Sequence, residues 1–375
     1  MSLPTLFLSL LTVSALFAQD KMLPMNRGMA PQPDAWDVRY RELEPQLERQ
    51  LAETPDSLQT MDELARVYRA QGKYDKALEL YLRALQLREA AVGRFGFELV
   101  PTLENLARID QLVKKYPEAE AMLARVIGIR ETVQGADHAD LATAYSSLGR
   151  LLFVQKKLQA AEPMYLRAIQ ILEKNFGLTD PKVAPALDSL ASTYREETKF
   201  AEAEPLLRHS LIVRDIAYGP VHPDVANALD NLASLYYTEK RYSEAQPLYE
   251  RSLQIWITLV GPDHSVVATS LDNLAVVYAM LKKYPEAEQL YLRALAIRDT
   301  EDAFSLHNMA LVDEAQNKDK DADALFKRLI ATPVKEPGPL LLEYAELLDK
   351  MKRPMESAKM KQRADALKDK TKSSK

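Results

Sequence analysis

The chain of 375 residues contains no cysteine. That absence excludes disulfide scaffolds, thiolate metal sites and cysteine nucleophiles together, and with them a lipid anchor on an N-terminal cysteine. An excess of one charge is also missing: 49 Lys and Arg stand against 54 Asp and Glu, a net charge of −5. That balance argues against nucleic acid as the main partner. The sequence has no HExxH, P-loop, GxGxxG, GxSxG or EF-hand pattern. After residue 18 no stretch is long and apolar enough to span a membrane. What is present is a hydrophobic fraction of 47%, which excludes a wholly disordered chain.

The one apolar run, Leu3 to Ala18, is shorter than the ~20 residues of a membrane span and ends at Gln19-Asp20-Lys21. Small residues at Ala15 and Ala18 offer cleavage sites, so residues 1–18 read as a signal peptide. The mature chain is then secreted or periplasmic. The alternative is an apolar N-terminal helix of a cytoplasmic protein. Residues 19–33, with three Pro and no hydrophobic period, read as a flexible leader, and 34–56 as an N-terminal capping helix.

The body repeats. Leu64, Leu106, Leu148, Leu190, Leu232 and Leu274 are spaced 42 residues apart, each followed by a small residue: Ala65, Ala107, Gly149, Ala191, Ala233 and Ala275. Ala77, Ala119, Ala161, Ala203, Ala245 and Ala287 keep the same step, as do Gly93, Gly135, Gly177, Gly219 and Gly261. Each unit reads as two helices. In the fifth, Leu229, Leu232, Ala233 and Tyr236 fall on one face at i, i+3, i+4 and i+7. A break at 238–242 follows, then a second helix carrying Ala245, Tyr249 and Leu253. The glycine after the second helix is the expected stop. Alanine or glycine lets two helices approach closely, and a lone hairpin cannot bury both faces, so neighbouring hairpins must stack. Asp110 and Leu152 stand where other copies have Tyr, and Gly149 replaces Ala. These departures predict a looser join around the third copy.

The motifs L-A-x-x-Y, G-K-Y or K-K-Y, E-A and L-Y-x-R-A-L resemble the tetratricopeptide repeat. The 42-residue step, the N-L-A signature and the linker Gly261-Pro262-Asp263-His264 are similar to the kinesin light chain variety. The resemblance implies an all-α fold, a right-handed superhelical solenoid of antiparallel helix pairs. Six repeats occupy 57–299. Two shorter, degenerate repeats and a cap occupy 300–360, where Met309-Ala310 and Tyr344-Ala345 follow at steps of 35, and a basic tail fills 361–375.

Chemistry is scarce. His138, His222 and His264 share one linker position and read as cap or linker residues, while His209 and His307 stand alone. Same-position residues of adjacent repeats should lie roughly 10 Å apart, too far for one metal at ~2 Å bond lengths. The carboxylates fall at helix positions read as solvated. No catalytic, cofactor or metal residue is assigned, and the chain is expected to be no enzyme.

The family resemblance places the first helices along an inner groove. There Asn105, Ser147, Ser189, Asn231, Asn273 and Asn308 precede the core position of successive copies. Kinesin light chains use the matching asparagines on the backbone of an extended cargo peptide, which carries that role to Asn105, Asn231, Asn273 and Asn308. An amide offers both donor and acceptor, as a peptide backbone does. The alternative is that these amides only fix the stacking. Three residues on, Arg66, Arg108 and Arg150 recur at 42, with Arg69 and Arg195 nearby. Ser192, Ser234, Val276 and Leu311 hold that position later, with Tyr237 adjoining. Asp62–Arg66 and Glu104–Arg108 are possible i,i+4 ion pairs, whereas Arg150 has only Ser146. Arg108 and Arg150 are therefore expected to dock acidic side chains or a C-terminal carboxylate, and Arg150→Ala to cost more than Arg66→Ala. The predicted function is a scaffold for a protein or peptide ligand, with no cofactor. The alternatives are a self-assembling solenoid and an accessory subunit of an enzyme complex.

Overall fold

The computed structural model describes residues 33–298, 302–332 and 337–373. The expected signal peptide and nearly all of the leader lie outside the described residues. Among these residues there are 17 α-helices, one short 3-10 turn at Phe97–Leu99 and no strand. The chain divides into two compact units, one reaching Ala217 and the other from Tyr218 onward.

The N-terminal unit opens with α1 (Pro33–Glu53). Four helix pairs follow: α2 (Leu58–Ala70) with α3 (Tyr74–Val92), α4 (Val100–Leu112) with α5 (Tyr116–Gln134), α6 (Asp140–Val154) with α7 (Leu158–Phe176), and α8 (Ala184–Glu196) with α9 (Phe200–Tyr218). The C-terminal unit also holds four pairs: α10 (Pro223–Thr238) with α11 (Tyr242–Val260), α12 (Ser265–Met280) with α13 (Tyr284–Arg298), α14 (Ala303–Ala315) with α15 (Asp319–Ala331), and α16 (Pro337–Lys350) with α17 (Pro354–Ser373).

The alanines that carry the period are the crossing points. Ala77, Ala119, Ala161, Ala203, Ala245 and Ala287 are all fully buried, so each second helix meets its first with no side chain between the backbones. The two shorter copies do the same with Ala322 and Ser357. Gly149 does not loosen its repeat, contrary to the sequence expectation. The ring of Tyr165 fills the place of the missing methyl. Leu152 and Asp110 are likewise buried.

Every first helix ends the same way. The residue after the turn donates its N–H five residues back: Lys73 to the Tyr68 carbonyl at 2.8 Å, Lys157 to Leu152 at 3.0 Å, Arg241 to Tyr236 at 2.8 Å. This is the Schellman closure, and it requires the residue before the donor to be left-handed. Gly72, Lys114, Lys156, Thr198, Lys240, Lys282, Asn317 and Lys352 hold that position, with φ between 59° and 75°. Second helices end at the expected glycines, Gly93 to Gly261, also at positive φ. Pro117 and Pro285 occupy the first turn, where no N–H is needed. Pro163, Pro205 and Pro247 sit inside their helices, in the second turn.

In six of the eight pairs the basic residue that closes the first helix also ties it to the element before. In the N-terminal unit Lys73 reaches Glu44 and Lys157 reaches Glu120, both at 2.6 Å, and Lys199 lies 3.5 Å from Glu162. In the C-terminal unit Lys283 meets Gln246 at 2.9 Å, Lys318 meets Glu288 at 2.7 Å and Arg353 meets Asp323 at 2.9 Å. His138, His222 and His264 are caps: each Nδ1 accepts the backbone N–H two residues on, from Asp140, Asp224 and Val266. His209 and His307 are not isolated. His209 Nε2 bonds the Leu178 carbonyl at 2.8 Å, and buried His307 Nε2 meets Glu343 at 2.5 Å.

Candidate functional site

In the N-terminal unit the first helices α2, α4 and α6 present Arg66, Arg108 and Arg150 at one register, and all three are exposed. The i,i+4 pairs expected for two of them do not form. Asp62 is held by Arg88 of α3, Nη2 to Oδ2 at 2.6 Å and Nη1 to Oδ1 at 3.2 Å. Glu104 is held by Arg130 of α5 at 3.1 Å. The carboxylates point back into their own helix pair, where the partner arginine is largely shielded and the ion pair stronger. Arg66 donates only Nε to the Asp62 carbonyl, at 3.3 Å. Among the described residues no carboxylate meets Arg66, Arg69, Arg108 or Arg150. The reason for ranking Arg150 above Arg66 is therefore gone.

The fully buried Tyr81 of α3 lies within electrostatic reach of this row. Its hydroxyl has no hydrogen-bond partner, and neither has the buried Nε of Arg69. Burial raises the phenol pKa, opposed by the charges of Arg69, Arg66 and Arg108, while Asp62 raises it further. Tyr165 is the counterpart two repeats on. Burial pushes it up to about 12, against the single charge of Arg150 and a hydrogen bond with Ser189.

The predicted amide ladder is uneven. Asn105 is half-buried and spends its Nδ2 on the Pro101 carbonyl at 2.9 Å, and Ser189 Oγ is bonded to the Pro185 carbonyl at 2.8 Å. Ser147 is half-buried, and half-buried Arg195 has a polar partner. In the C-terminal unit Asn231 and Asn273 are half-buried with no hydrogen bond among the described residues. Half-buried Ser234 is partnered. Two expected groove residues are not presented to solvent. Tyr237 is 4% exposed, packed against Tyr242 with ring centroids 5.5 Å apart. Asn308 is 1% exposed, with Nδ2 on the Phe304 carbonyl at 3.1 Å. The step of 35 comes from shorter helices, 15 residues in α13 and 13 in α14 against 19 in α11 and 16 in α12.

Sequence reasoning missed a second register. Arg88, Arg130, Arg214 and Arg298 face Asp62, Glu104, Asp188 and Asp272 within their pairs, at 2.6, 3.1, 2.6 and 2.6 Å. Their multiples of 42 could have revealed it. The third pair lacks both charges, with Ser146 and Leu172. The fifth keeps the acid, Asp230, but has Trp256 in place of the arginine. There burial pushes the carboxyl up to about 7, partly offset by hydrogen bonds from Ser252 and Trp256. Asp272 and Asp313 are buried too, not solvated, and each is pushed up to about 6. Among the described residues no cluster of His, Asp and Glu could hold a metal ion, and no helix is long and apolar enough to cross a membrane.

Models of the tetratricopeptide repeat match residues 57–97, 98–174, 182–256 and 224–300. No curated protein matches the sequence. Among solved structures, BtubC (BKLC) from P. vanneervenii is 24% identical with a TM-score of 0.51, covering 68% of this chain and 91% of its own. A kinesin-light-chain-type protein of nearly identical TPR-like repeats from Podosopora anserina is 22% identical with a TM-score of 0.50, covering 54% and 96%. A tetratricopeptide repeat protein from Parabacteroides merdae is 17% identical with a TM-score of 0.52, covering 72% and 93%. At these identities the likeness is one of fold.

Proposed function

The chain belongs to the tetratricopeptide repeat family, whose repeats serve as protein-interaction scaffolds, and from that premise we propose that the face of α2, α4 and α6 holds an extended, acidic segment of a partner protein. The observation that carries this reading is the row Arg66, Arg108 and Arg150, exposed, in register and without a carboxylate among the described residues. Guanidinium forks take carboxylates bidentately. A row of them at the repeat spacing of roughly 10 Å meets a strand rising ~3.3 Å per residue at about every third side chain. Asn105 adds an amide oxygen left open by its own bond to Pro101. The chain acts by holding its partner, with no chemistry of its own. It does so outside the cytoplasm if residues 1–18 are removed, which intact-mass measurement on natively expressed protein reads directly.

Fluorescence anisotropy against an arrayed set of extended acidic peptides, each paired with its Gln/Asn counterpart, tests the proposal. Acidic peptides should bind more tightly, binding should weaken with salt, and Arg108→Ala and Arg150→Ala should each lower affinity. Equal binding of both sets, independent of salt, would refute it. A mass that grows with concentration without any peptide would favour self-assembly instead.

A further inference from the structure

Within the N-terminal unit the 42-residue step allows one place to be compared in three successive repeats. At each joint the second helix of a pair reaches back to the linker before it. Arg125 Nη2 lies 2.6 Å from the Arg94 carbonyl, Arg167 Nη2 2.9 Å from the Ala136 carbonyl and His209 Nε2 2.8 Å from the Leu178 carbonyl. The geometry repeats and the chemistry does not. The middle joint is charged: Asp137 takes Arg167 at 3.0 Å and Lys174 at 2.5 Å, and Asn175 Nδ2 bonds its carbonyl at 2.8 Å.

The joints on either side are apolar and exposed. At the first, Phe95 holds the repeat position of Asp137 and Val133 that of Asn175, 71% and 56% exposed. Val92 lies against Gly96 between them and Phe97, whose ring sits 5.8 Å from the Arg130 guanidinium. At the third, Leu178 replaces Ala136, Ile212 replaces Gln170 and Ile216 replaces Lys174, and they are 60%, 54% and 63% exposed. Phe176 adjoins them under the Lys182 ammonium, at 3.7 Å. Exposed apolar side chains scattered singly need no explanation, whereas clusters mark interaction surfaces.

The order apolar, charged, apolar is the same from either end, one repeat step to each side of Asp137. A surface of that kind fits a second copy of itself under a two-fold rotation, where residue i meets j and j meets i. We propose that this linker edge pairs two copies of the chain in a closed, antiparallel dimer. With the axis at the middle joint, the Phe95 joint of each chain meets the Ile216 joint of the other, and Lys174 of each faces Asp137 of the other. The first and third joints lie two repeat steps apart, roughly 20 Å, so the contact is long enough for a specific interface. Both apolar patches are covered at once, and none is left to recruit a third chain. None of these residues lies on α2, α4 or α6, so the dimer is independent of the proposed peptide face.

Sedimentation of the full chain over about 1–500 μM tests this, the range in which modest interfaces associate. The mass should rise from one chain to two and stop. Phe95→Asp and Ile216→Lys each install, at an exposed position, the residue that the middle joint already carries, so both should keep the parent's Tm. Each alone should dimerise about tenfold more weakly or worse. Mixed in equal amounts, the two variants should pair at least about tenfold more tightly than either does with itself. One joint of the mixed dimer then keeps Phe95 against Ile216, and the other sets the new acid against the new lysine. A monomer at every concentration, variants that pair as the parent does, or a mixture no tighter than its components would overturn the proposal. So would a mass that grows past two chains, which is the open-ended assembly that competes with the peptide reading.

Discussion

The Tyr165 ring lies across Gly149, its Cε1 2.9 Å from the point that a Cβ at position 149 would occupy. The other repeats place alanine there, so the glycine reads as a weakness in a helix. Packing reverses that reading. Gly149→Ala gains about 1 kcal/mol of helix propensity but drives a methyl into a buried aromatic ring, an overpacking that costs about 1–3 kcal/mol. Chemical denaturation should show a net loss of roughly 1 kcal/mol, and Gly149→Ala with Tyr165→Leu should recover part of it.

Much of the fold was legible because one period recurs in several registers. The alanines at 77 to 287, the leucines at 64 to 274 and the linker glycines mark helices, crossings and stops without any tertiary information. The linker histidines were readable as caps for the same reason. Partner choice was not legible. Arg66 has Asp62 at i−4, yet Asp62 turns to Arg88, 26 residues on, because the shielded pair inside the hairpin outcompetes the exposed one. Asn308 failed as a groove residue because it is buried, with its amide bonded to the Phe304 carbonyl of its own helix.

Asp230 makes the C-terminal unit sensitive to pH. Its native pKa is pushed up to about 7, against about 3.9 unfolded, so the unit is most stable below the unfolded value and loses stability as pH rises to 7. Asp230→Asn removes the charge and should flatten that slope. At pH 8 the variant should be more stable than the parent by about 1–2 kcal/mol, discounted for the group's partial solvent access. At pH 4 the two should match. A parent curve flat between pH 4 and 8 would contradict the assignment.

Arg298→Leu should be the more damaging change in the same unit. Asp272 is buried, and Arg298 Nη2 lies 2.6 Å from its Oδ2, with Ser305 donating to Oδ1 at 2.8 Å. Removing the cation strands a buried carboxylate, a loss of about 3–5 kcal/mol. Burial already pushes Asp272 up to about 6, so protonation relieves the defect and the loss should be smaller at pH 5 than at pH 8. Urea unfolding at both values reads the difference. Arg298→Leu with Asp272→Leu should recover most of the stability at pH 8.

Thr198 occupies the left-handed position that closes α8, at φ 60°. Its neighbours in the series are lysines, an asparagine and one glycine, and Thr198 is the β-branched member. A branched Cβ crowds the following carbonyl in this region more than a straight chain does. The turn itself is obligatory, because Lys199 must reach back to the Tyr194 carbonyl at 2.8 Å. Thr198→Gly should therefore keep the closure and relieve the strain, raising stability by about 1 kcal/mol. Gly72→Ala, the reverse change at the first copy, should lower it by a similar amount, since no other atom crowds that site and the φ of 75° alone opposes the methyl. Thermal unfolding of the two variants should shift in opposite directions. A loss in Thr198→Gly would mean that the threonine side chain contributes more to the turn than its backbone conformation costs.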